Sequence, residues 1–78
     1  MIKVQDITYE KSKERFLCEH TNIFNYLDVN NAIDTYVNRG AQIVSKSDYC
    51  CVMIHDQPDN FFDVIIVSQL TSKDERAD

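Results

Sequence analysis

Seventy-eight residues with 44% apolar and 27% charged content suit one small globular domain and exclude both a disordered chain and a second domain. Thirteen acidic against eight basic side chains give a net charge of −5, which disfavours a nucleic-acid-binding surface because phosphate is repelled. Three cysteines, two of them adjacent, make a poor disulfide framework; no run approaches the length of a signal peptide's apolar core or a membrane span, so a cytoplasmic protein is expected.

In chain order, "IKVQDITY" (2–9) reads as a strand from its β-branched content, with a phase slip between Val4 and Ile7 that suggests a bulge or an early strand end. "EKSKE" is turn-like and "RFLCEH" (15–20) reads as a second strand, closing a hairpin. Residues 21–27 are expected as a loop or a strand extension. From Val29 the period changes: Val29, Ala32, Ile33, Tyr36 and Val37 form one stripe of an amphipathic helix over 28–39. Asp28 stands at the N-cap, and Gly40 stands where a C′ glycine belongs. "AQIVS" is a short strand. "YCCVMIH" (49–55) and "FFDVIIVSQL" (61–70) are two longer strands joined by the turn formers "DQPDN". The expected architecture is α+β: an antiparallel sheet of about five strands in the order ββαβββ, one helix packed on one face, a domain over 1–70 and a polar tail over 71–78.

The stretch 48–67 concentrates two cysteines, a histidine and four aspartates. Alternation sends Cys50 and Cys51 to opposite faces, and Cys51 lies about 13 Å from His55 at ~3.3 Å per residue, too far to share a metal. Cys18 and His20 are same-face neighbours that a cysteine from the other hairpin could join at a metal, but a buried small Cys beside a rim His is the favoured reading; no metal, no cofactor and no catalytic group is expected, and the chain reads as a non-enzyme. If residue 55 pairs with 61, one hairpin face carries Cys50, Val52, Ile54, Phe62, Val64 and Ile66. The other carries Tyr49, Cys51, Met53, His55, Phe61, Asp63, Ile65 and Val67. The wholly apolar face suits the helix, leaving the mixed face outside. Its large adaptable side chains beside acids have interface composition. Asp48, Tyr49, Met53, His55, Asp56, Asp59, Phe61, Asp63 and Ile65 are therefore the expected partner-binding residues. Cover by the N-terminal strands, by a second copy in a homodimer, or by a foreign protein all remain open.

Brevity, acidity and a single helix on an antiparallel sheet around "YCCVMIHDQPDNFFDVIIV" resemble, as a type, small phage-encoded anti-defence proteins of the anti-CRISPR and toxin-inhibitor kind. "DVNNAIDTYVNRGAQIVS" is also loosely similar to small bacterial βαββ proteins. The first resemblance implies an inhibitor, active in a host cytoplasm, that binds a basic, nucleic-acid-handling protein through the acidic hairpin. The alternatives are an RNA-binding regulator using the basic turn Lys11, Lys13 and Arg15, disfavoured because no stacking aromatics are expected beside that turn, and a housekeeping homodimer.

Overall fold

The computed structural model describes residues 1–26 and 28–70. They form β1 (Ile2–Glu10), β2 (Arg15–Phe24), α1 (Val29–Val37), β3 (Gln42–Lys46), β4 (Cys50–Asp56) and β5 (Phe61–Gln69). All five strands join one antiparallel sheet in the order β2-β1-β5-β4-β3. The α+β class and the ββαβββ order agree with the sequence. The segment after His20 takes the strand-extension option as far as Phe24. The expected tail, 71–78, lies outside the described residues.

Helix α1 begins where its chemistry directs. The Asp28 carboxylate accepts from Asn31 N–H at 3.0 Å, and the Asn31 side-chain oxygen accepts from Asp28 N–H at 3.2 Å, a reciprocal capping box. The helix ends at Val37 with Asn38 as its C-cap, two residues short of the expected end. Gly40 then adopts φ +106°, a left-handed conformation that side chains resist, while its N–H donates to Val37 C=O at 3.0 Å.

The phase slip in β1 has a different cause from the expected bulge between Val4 and Ile7. Alternation is unbroken there: Ile2, Val4 and Asp6 share one face, so Asp6 is a polar residue on the buried side. The actual irregularity lies between Thr8 and Tyr9, where β2 carries the extra residue Leu17. The β4–β5 register also differs from expectation. His55 pairs with Asp63, not Phe61, and Asp56 with Phe62. Gln57 N–H donates to Phe61 C=O at 3.1 Å, so the ladder runs further and Pro58, Asp59 and Asn60 make the tip. Asp59 has φ +68°, which an aspartate tolerates better than most residues.

A two-residue shift preserves which side chains share a face, yet the buried face is the opposite of the expected one. Cys51, Met53, Ile65 and Val67 are buried, with Ile2, Val4, Ala41 and the helix residues Val29, Ala32 and Ile33, in one cluster. Val52, Ile54, Phe62, Val64 and Ile66 are only half-buried or exposed. The reason is the pairing of β1 with β5. It sets Val4 beside Val67 and Ile2 beside Gln69, which widens the Cys51–Met53–Ile65–Val67 patch into a floor three strands across. Asp63, which marked this face as outer in the sequence, is accommodated because both its oxygens are hydrogen-bonded.

Candidate interaction surface

The open face is read off the ladders. Directly opposed residues point the same way, so Lys3, Ile7 and Tyr9 of β1 join Val52 and Ile54 of β4, Phe62, Val64 and Ile66 of β5, and Phe16, Glu19 and Ile23 of β2. Gln5, Thr21, Gln42, Ser45, Asp56 and Ser68 are the polar members around this apolar centre. Ile54, Phe16 and Ile23 are 39%, 54% and 56% exposed. At the turn end three aromatics line up across three strands. Tyr9 stacks on Phe62 (centroids 5.3 Å, planes 13° apart) and meets Phe16 edge to face at 6.2 Å. A large apolar sheet surface of this kind is unusual on a small monomer.

The expected partner-binding residues do not form one surface. Met53, Ile65 and Asp63 are buried within the single chain rather than exposed on the outer face where they were expected. His55 is half-buried, Phe61 sits at the rim, and Tyr49 and Asp48 are exposed at the β3–β4 turn. Asp56 and Asp59 are exposed at the β4–β5 tip, but this tip is not a free acidic pole. It is fastened to the basic turn of the other hairpin. Lys11 Nζ lies 2.6 Å from Asp56 Oδ1, and Lys11 N–H donates to Asn60 C=O at 2.7 Å. Ser12 N–H donates to the Asn60 side-chain oxygen at 3.1 Å. Arg15 pairs with Glu10 at 3.3 Å. The residues missed from the sequence are those of the open face, above all the aromatic row. The signal existed in the uniform apolarity of that face, but it was spent on the core.

A second feature lies on the buried face, toward the turn end of β1 and β5. Asp6, cross-strand from His20 and Ile65, sits near Asp63, whose cross-strand neighbours are Thr8 and His55. Thr8 Oγ1 donates to Asp63 Oδ1 at 2.9 Å and Gln57 Nε2 to Asp63 Oδ2 at 3.0 Å; Gln57 Nε2 is also 3.3 Å from His55 Nδ1. Both Asp63 oxygens are thus hydrogen-bonded. Asp6 Oδ1 is buried without a hydrogen-bond partner. Burial first, and the adjacent Asp63 second, push the Asp6 carboxyl up to about 6, against the opposing influence of His20 and His55. Cys18 and His20 stand on the exposed edge strand of this face. Among the described residues no group of three or more His, Cys, Asp or Glu is placed to hold a metal ion.

The cysteines exchange their expected places. Cys51 is fully buried, with burial raising its thiol pKa; Cys50 is half-buried on the open face, and Cys18 is exposed. Thiol labelling of the folded protein is expected to modify Cys18 first, Cys50 more slowly and Cys51 only on unfolding. Peptide mapping checks this, and labelling of Cys51 before Cys50 would contradict the face assignment.

Comparison with known proteins finds no matching family model, no matching curated protein and no matching solved structure.

Proposed function

We propose that the chain is a non-catalytic protein-binding module whose contact surface is the open sheet face. One observation carries this: both faces of the β4–β5 hairpin are apolar, and the buried cluster that includes Val29, Ala32 and Ile33 takes up only one of them. In this reading α1 packs across the buried face, and another polypeptide covers Val52, Ile54, Val64, Ile66 and the aromatic row. Aromatic side chains beside aliphatic ones are the composition of interface hot spots.

The inhibitor reading, with a basic nucleic-acid-handling partner, rests on the net charge. The local geometry favours it less, since Lys11 pairs with Asp56 and, among the described residues, leaves Asp59 as the tip's one acid outside an ion pair. An RNA-binding reading gains one feature, because Tyr9 and Phe16 do stand beside the basic turn. The rings of Tyr9 and Phe62 nevertheless cover each other's faces, and Lys11 and Arg15 are engaged by Asp56 and Glu10. Base stacking and phosphate contact both need those groups free. A protein partner is the better fit.

A photo-crosslinking residue at position 54, in cells expressing the protein, is expected to give a discrete adduct. The same residue at position 30, on the exposed side of α1, is expected to give none. Absence of any adduct from position 54 would sink the module reading.

A further inference from the structure

We infer that the polypeptide covering the open face is a second copy of this chain, packed sheet to sheet; the inference rests on the module reading above.

The area is sufficient. Five strands at ~4.8 Å spacing and about nine residues at ~3.3 Å each present a face of roughly 600 Å² in projection, so two copies bury about 1,200 Å² or more, the threshold of a stable interface. The shape is suited as well. Two twisted antiparallel sheets stack about 10 Å apart with their apolar side chains interdigitated, as in a β-sandwich. Each helix would then lie outside, giving layers in the order helix, sheet, sheet, helix.

Charge points the same way. Two chains of net charge −5 repel through most of their surfaces. The open face is an exception: its one lysine, Lys3, and its one glutamate, Glu19, offset each other in charge, and Asp56 at its end is paired with Lys11. A foreign basic protein would find no acidic field there to select it, whereas a second copy meets a neutral apolar surface like its own. The segment 71–78, "TSKDERAD", has Ala77 as its one apolar residue, a poor composition for burying such a face. Two copies related by a two-fold axis would close the association at a dimer, because the same patch serves both partners.

The test is the mass of the purified full chain by light scattering from low to high micromolar concentration. The wild type is expected at twice the 9.1 kDa chain mass. Ile54→Lys and Ile23→Lys, both at positions exposed in the single chain, are expected to be monomeric with unchanged far-UV circular dichroism. A second readout needs no variant: labelling of Cys50 is expected to slow as wild-type concentration rises, while that of Cys18 does not. If the variants lose their fold, this readout decides. A wild type monomeric at high micromolar concentration overturns the inference, as does a dimer that persists in both folded variants. Failure here is separable from failure of the module reading, because a position-54 adduct whose added mass is not that of this chain would keep the face as a binding surface with a foreign occupant.

Discussion

Met53→Lys is expected to abolish folding, while Ile54→Lys, one residue along the same strand, leaves the isolated chain folded. Met53 is 0% exposed in the cluster with Ile65, Cys51 and the helix residues. Truncation of such a side chain alone costs about 2–5 kcal/mol, and a buried ammonium without a partner adds several more. A domain of this length has a total stability of about 4–12 kcal/mol, so the charged variant is expected to be mostly unfolded. Ile54 points to the open face, where a lysine head reaches water, and the expected cost is about 1 kcal/mol, mainly strand propensity. Urea titrations at low protein concentration, where self-association does not add to stability, measure both. A folded Met53→Lys beside an unfolded Ile54→Lys would reverse the assignment of the two faces and remove the basis of the proposed interaction surface.

The second large effect concerns Asp6. Its carboxyl is raised from 3.8 in the unfolded chain to about 6 in the fold, with Asp63, His20 and His55 as the titrating groups around it. Between those values the folded protein holds the proton more tightly than the unfolded one. Stability from this group is therefore greatest at low pH, falls as pH rises from about 4 to 6, and is level above. Asp6→Asn, neutral at every pH, removes that loss. The variant is expected to match the wild type near pH 4 and to exceed it by about 1–2 kcal/mol at pH 7, after allowing for the partial solvation of the site. Denaturation midpoints of the pair across that range give the difference directly. An Asp6→Asn protein less stable than wild type at pH 7 would show that the charged form is held by contacts rather than penalised by burial.

The two sites differ in how visible they are before folding. The open face is spelled out by alternation: Val52, Ile54, Val64 and Ile66 fall in phase on neighbouring strands, and even an error of two residues in the register keeps them together. The aromatic row is not, because Phe62, Tyr9 and Phe16 belong to three strands and meet only through the β1–β5 pairing. The Asp6–Asp63 pair was hidden for the same reason. Each aspartate reads as a solvated surface residue until β1 is laid against β5.

Local patterning by itself determined the element order, the helix with its Asp28 cap, the glycine after it, and the separation of Cys50 from Cys51. These depend on side-chain period and on capping and turn chemistry acting over a few residues. Which face became the core was decided only by tertiary structure. Both faces of the β4–β5 hairpin are apolar enough to receive the stripe of Val29, Ala32 and Ile33, so periodicity leaves two solutions. The choice came from β1, at the opposite end of the chain, whose Ile2 and Val4 extend one face and not the other, while Thr8 and Gln57 supply the hydrogen bonds that let Asp63 be buried there. Such long-range contacts leave no periodic trace in the segments they join.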